Sequence, residues 1–148
     1  MKRKIRAIAV IAAALTLMLA SGCGSKSIPS DLNDGTYTGR SADRQADEDG
    51  QGAGYGEVEI TVKDNKITAC TFKTYELDGT LKDENYGADL TKENRMKAQK
   101  AVQAADKYAQ MIVETGDIDS VDAISGATIN YDEFKEAVIN ALEKAAKE

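Results

Sequence analysis

The plainest pattern in the chain is an alternation. Val58, Ile60 and Val62 alternate with Glu57, Glu59, Thr61 and Lys63, the two-residue period of a strand with one buried face. Asp64-Asn65 follows as a tight hairpin turn, and residues 67–75 return as a second strand. Its parity slips, because Ile67 and Ala69 share one face while Cys70 and Phe72 share the other. A bulge would reconcile them, or the strand is buried on both faces. Upstream, Asp34-Gly35 marks a turn and Thr36-Tyr37-Thr38 a strand. Residues 41–54 are polar, acidic and glycine-rich, and read as a loop. Its carboxylates Asp43, Asp47 and Asp49 lack the spacing of an EF-hand, which leaves a solvated loop.

Further along the period changes from two to between three and four. Ala98, Ala101, Val102, Ala105, Tyr108, Ala109 and Ile112 share one face of a helix over residues 91–114. Thr91 with Asn94 starts it and Gly116 stops it. Ile118, Val121 and Ala123 alternate imperfectly, as a short strand over residues 118–124. A second helix over residues 131–147 buries Phe134, Ala137, Val138, Ala141, Leu142 and Ala145, with Asn130-x-x-Glu133 as a capping box at its start. Strands first, then helices, imply an α+β domain: a small twisted antiparallel sheet with two main helices packed on one face.

The N-terminal residues belong to a different regime. Lys2, Arg3, Lys4 and Arg6 precede an uncharged apolar run of about 14 residues, short of the roughly 20 that a spanning helix needs. Leu19-Ala20-Ser21-Gly22-Cys23 follows, so residues 1–22 read as a secretory signal. The ending resembles a bacterial lipobox, which implies cleavage before Cys23 and lipidation (palmitate among the acyl chains) of that cysteine. Residues 23–33 then form a Ser- and Gly-rich lipid-anchored tether, and residues 34–148 a single domain. The implied location is the extracytoplasmic face of the cell membrane, held to the bilayer through Cys23.

Cysteine, charge and histidine narrow the chemistry. With Cys23 acylated, Cys70 is the one remaining thiol, a small core residue rather than a redox centre. The signal takes four of the 19 basic residues and none of the 25 acidic ones, so the exported chain has a net charge of −10. Such a surface excludes nucleic acid as a partner. The chain has no histidine, hence no hydrolytic triad of the usual form. Neither a P-loop nor a dinucleotide fingerprint occurs, and no metal site is implied.

The stretch with most chemistry is Asp122-Ala123-Ile124-Ser125-Gly126-Ala127-Thr128, just before the last helix. Thr128 supplies an alcohol. Gly126 and Ala127 leave room for close approach, and Gly126 tolerates φ > 0. A phosphate before a helix N-terminus meets unpaired N–H groups and the positive dipole end, although Asp132 and Glu133 would repel it. Alone, the tetrapeptide also reads as an ordinary Ser-Gly turn.

This heptapeptide resembles the flavinylation motif of FMN-binding domains, such as the flavin-carrying subunits of the Rnf complex and of the sodium-pumping quinone reductase. Asp34-Gly35-Thr36-Tyr37-Thr38-Gly39 is similar to the opening of many lipoproteins of that family. The resemblance implies FMN joined covalently to Thr128 through a phosphoester by a separate flavin transferase. Ser125, Gly126 and Ala127 would shape the phosphate turn, and Asp122 would orient the site for the transferase. Glu76 corresponds to a glutamate beside the flavin, without the Thr-Pro-Gly of the electron-complex subunits. Tyr86 either stacks on a flavin ring or covers the core edge.

The implied function is an electron carrier rather than an enzyme. Its donor would be a membrane quinol-linked protein or a dehydrogenase, its acceptor an extracellular species or a reductase. Three alternatives stand beside it: a lipoprotein that binds flavin or another small ligand non-covalently, a structural lipoprotein that keeps the fold without a cofactor, and, last, a reductase in its own right.

Overall fold

The computed structural model describes residues 28–48 and 51–147. The signal, Cys23 and most of the tether lie outside the described residues.

Three antiparallel strands form one sheet in the order β1 (Gly35–Arg40), β2 (Tyr55–Lys63), β3 (Lys66–Tyr75). Val58, Ile60 and Val62 are buried, as their alternation requires. Asp64 and Asn65 both have positive φ, 51° and 62°, the backbone of a type I′ turn that matches the strand twist. The parity slip in β3 is a bulge. Thr61 pairs with Ala69 and Val62 with Ile67, so Thr68 is the extra residue. Its hydroxyl donates to Thr61 O (3.2 Å). The slip puts both Ile67 and Phe72 on the buried face.

Helix α1 (Lys92–Thr115) is capped by Thr91, whose hydroxyl accepts from Asn94 N, and ends at Gly116 in the left-handed region (φ 66°). Helix α2 (Thr128–Ala145) begins three residues earlier than its apolar pattern suggests. Both lie on the same face of the sheet, α2 over β1 and β2, α1 over β3. Phe134 of α2 joins the layers, edge-on to Phe72 of β3 (5.0 Å between ring centres) and stacked on Tyr108 of α1 (5.6 Å). The domain is thus the α+β arrangement expected of its pattern.

Two local expectations fail. Residues 118–124 form no strand. Ile118–Ser120 is one turn of 3-10 helix (η1). The Asp117 carboxylate accepts from Asp119 N (3.1 Å) and from the Ser120 hydroxyl (2.8 Å). Such local side-chain bonds offer the backbone an alternative to a ladder. The capping box is also absent. Ala127 is the N-cap of α2 and gives no side-chain cap. Asn130 lies inside the helix, nearly buried, with its amide donating to Ala101 O of α1 (2.9 Å). Glu133 is buried in the core rather than reaching back to the cap.

Candidate functional site

The motif forms a tight turn on the head of α2. Ala127 N donates to Ile124 O (2.9 Å), which closes a β-turn over Ser125 and Gly126. Gly126 has φ 81°, the left-handed conformation that the third residue of a type II turn needs. Ser125 and Asp122 are exposed, Ala127 is buried, and Thr128 is the exposed first residue of α2. The Thr128 hydroxyl therefore stands in solvent beside helix N–H groups that no side chain caps.

The turn is held from below by Tyr108. This side chain is completely buried. Its hydroxyl accepts from Ile124 N (2.8 Å) and donates to Ala127 O (3.1 Å), bridging the two ends of the turn. The sequence identifies Tyr108 only as a core position. The overlooked signal was its hydroxyl, which needs partners when buried. Tyr108→Phe keeps the ring and leaves Ile124 N without its acceptor. A loss of about 1–3 kcal/mol is expected, with faster amide hydrogen exchange at Ile124 than elsewhere in the turn. Exchange at Ile124 unchanged from wild type would refute the clamp.

A cleft of about 910 Å³ opens beside the turn. Gly126, Ile129 and Asn130 form one wall, and Glu76, Lys82 and Tyr86 from the β3–α1 connection form the opposite one. The structure thus brings Glu76 and Gly126 to one cavity, across 50 positions of sequence. Thr128, Ser125, Ala127 and Asp122 do not line it, although Thr128 sits between two residues that do. Lys100 of α1 reaches the turn from outside, its Nζ 3.2 Å from where a Cβ on Gly126 would lie.

The floor of the cleft is charged. Lys82 is half-buried, donates to Ala53 O (2.6 Å) and lies 5.3 Å from the centre of the Tyr86 ring. Burial lowers its proton affinity, while Glu133 and Glu76 act in the opposite sense. Burial also raises the Tyr86 hydroxyl, with Glu76 and Glu133 adding to the shift. Among the described residues, no group of three or more His, Cys, Asp or Glu could hold a metal ion. Cys70 is half-buried on β3, its thiol pushed up to about 12 by desolvation.

Residues 52–143 match the model of the FMN-binding domain. The chain belongs to that family. A crystal structure of the CPE2226 protein from Clostridium perfringens is similar, with a TM-score of 0.57 and 25% identity over 77% of this chain and 88% of that one. No curated protein sequence matches. This protein is therefore an FMN-binding domain protein, which makes flavin binding its shared property.

The cleft suits such a ligand. Its volume lies toward the top of the roughly 300–1,000 Å³ typical of small-ligand sites. Leu81, Leu90 and Ile129 give apolar surface, Tyr86 an aromatic edge, and Lys82 and Lys97 positive charge for an anionic ligand. Tyr86 therefore faces the cleft as well as covering the core edge.

Among the described residues of this FMN-binding domain, Glu133 is a buried carboxyl, 4% exposed, and neither of its oxygens has a hydrogen-bond partner. Desolvation raises its proton affinity, against the pull of Lys82 and Arg44. In the unfolded chain this carboxyl titrates near 4.5. Between that value and its higher folded value, the native state holds a proton that the unfolded state has lost. Stability then falls as pH rises through the window. Glu133→Gln removes that titration. The variant should therefore gain on wild type above pH 4.5, by about 1–3 kcal/mol, and match it below, in urea unfolding at both ends. An equal gap at both ends would contradict this sign.

Proposed function

We propose that this FMN-binding domain is a membrane-anchored, extracytoplasmic electron carrier whose FMN is esterified to Thr128. The observation that carries the reading is the exposed Thr128 hydroxyl at the uncapped head of α2, beside Gly126 at the edge of the cleft. In the attachment step Thr128 Oγ1 attacks the FMN phosphorus of FAD on a flavin transferase. The new P–O bond replaces the one to AMP, which leaves, and the hydroxyl proton passes to solvent or to a base of the transferase. Bound FMN supplies the redox chemistry, accepting electrons and passing them on.

The chain's own residues supply position. Gly126 turns the backbone without a Cβ, which would leave room for the phosphate. Lys100 would offer a cation beside the turn, and the uncapped first N–H groups of α2 would favour an anion there. Tyr108 keeps the turn in one conformation, which lowers the entropy lost on docking to the transferase. Glu76 and Tyr86 line the space open to the ring. Cys23 acylation would keep the domain at the membrane, between a quinol-linked or dehydrogenase donor and an extracellular acceptor or reductase. A covalent bond suits that location, since a dissociable flavin is lost to the medium by mass action.

A second reading, non-covalent flavin binding, is supported by the cleft itself, because Glu76, Lys82 and Tyr86 can hold a ligand without an ester. Mass analysis after co-expression with a flavin transferase separates the two. A gain of FMN less one water on the Thr128 peptide supports the carrier. Yellow protein that loses its colour on denaturation supports the second reading. Colourless protein, with the transferase active on a control substrate, overturns both and leaves a structural lipoprotein.

A further inference from the structure

Glu133 lies one helical turn beyond Ile129 and Asn130, on the face of α2 that those residues present to the cleft. Gly56 of β2 packs against it, with an ideal Cβ there only 3.1 Å from Glu133 Cβ. Most of this layer is apolar, and a carboxyl with two unpartnered oxygens is a costly way to occupy it. Structural demand therefore does not explain Glu133.

Its surroundings suggest another use. The charged groups acting on it are Lys82 and Arg44 from the loops beside the sheet and Asp132 on its own helix. Lys82 lines the cleft, and among the described residues it donates to the neutral Ala53 O. Its positive charge thus acts on Glu133 and also faces the cleft, which Glu76 and Tyr86 line with it. Negative charge arriving in the cleft engages Lys82 and weakens its hold on the Glu133 carboxylate, which then binds a proton more tightly.

We propose that Glu133 is a redox-linked proton site: an electron entering a flavin in the cleft draws a proton onto the Glu133 carboxyl, with Lys82 as the cation that couples them. The inference rests on the flavin reading above. The electron comes from the reductant, which is oxidised, and the proton comes from solvent to form a carboxyl O–H. Reoxidation of the flavin releases both. By linkage, the flavin potential must depend on pH wherever the proton occupancy of Glu133 changes on reduction. Burial and Lys82 push the carboxyl in opposite directions, so its occupancy is open to a change of charge nearby.

The experiment is a dithionite titration of the flavin-loaded full chain across pH, in wild type, Glu133→Gln and Lys82→Met, with redox-difference infrared spectra. In wild type the potential should fall with pH more steeply than in Glu133→Gln over a limited window, by up to one proton per electron. A band of a buried protonated carboxyl should grow on reduction in wild type and be missing from the Gln variant. Lys82→Met should flatten the extra slope, read per flavin bound because Lys82 also lines the cleft. Wild-type and Gln proteins with one pH profile and no carboxyl band overturn the inference and leave the flavin reading intact. The wild-type infrared difference needs no variant, so a Gln protein that misfolds does not remove the test. A chain that takes up flavin in neither form overturns the flavin reading, and this inference with it.

Discussion

Thr128→Ala should give a folded domain that gains no covalent flavin at all, while Thr128→Ser keeps the gain. The loss is total because an ester needs the oxygen, which Ala removes together with the γ-methyl. The fold should not notice. Thr128 is exposed and gives no cap to α2, whose N-cap is Ala127. Ala is also the better helix former, by up to about 0.7 kcal/mol, so stability should stay within about 0.5 kcal/mol of wild type or rise slightly. Ser125 is the internal control. It is a second exposed hydroxyl on the same turn, but it precedes the left-handed Gly126 and does not stand at the head of the helix. Peptide mapping after co-expression with the transferase checks this. An unchanged flavin gain, or a gain moved to Ser125, would remove Thr128 from the attachment site. Unfolding of Thr128→Ala would make it a structural residue instead.

How much of this could be read from the residues depends on the range of the interaction. The period-two run at Val58, Ile60 and Val62, the Asp64-Asn65 turn, the Thr91 cap and the Gly116 stop are local and appear where expected. The slipped parity of Ile67 and Phe72 pointed to the bulge as one of two ways to bury both, and an extra residue does bring them onto one face. Asn130 misled, since a polar side chain near a helix start looks like a cap. Its amide is used instead on Ala101 O, a partner in another helix. Residues 118–124 misled similarly, because Asp117 binds the backbone that a strand would have used. Within the site, Thr128 and Gly126 were legible as a motif. The Tyr108 clamp, the Lys100 approach and the isolation of Glu133 were not, for each depends on how the helices meet the turn and the sheet.

Gly39→Ala should be among the most damaging single-methyl changes in the domain. Gly39 lies in β1 directly under α2. A Cβ there would fall 1.9 Å from Ala137 O and 2.6 Å from Ala141 N, with Ala141 Cβ at 2.9 Å. The first two are backbone atoms of α2 and the third is an Ala Cβ, so no rotamer change relieves them. Either α2 lifts from β1 or the strand bends away. Overpacking of flexible cores costs about 1–3 kcal/mol and occasionally more. A collision with helix backbone belongs at or above the top of that range, a large part of the 5–15 kcal/mol that holds a typical domain together. Ala137 and Ala141, both fully buried, are small for the same reason: they let α2 approach the strand closely. The effect should reach the site as well, because α2 carries Thr128 at its head and Ile129 in the cleft wall. Urea unfolding should show a much lower midpoint, and the flavin gain should fall even in protein that remains folded. Thr38→Ala, at the exposed neighbouring position, should change neither. A Gly39→Ala protein as stable as wild type would mean that α2 does not rest on β1 this closely. The head of α2, and Thr128 with it, would then sit elsewhere relative to the cleft.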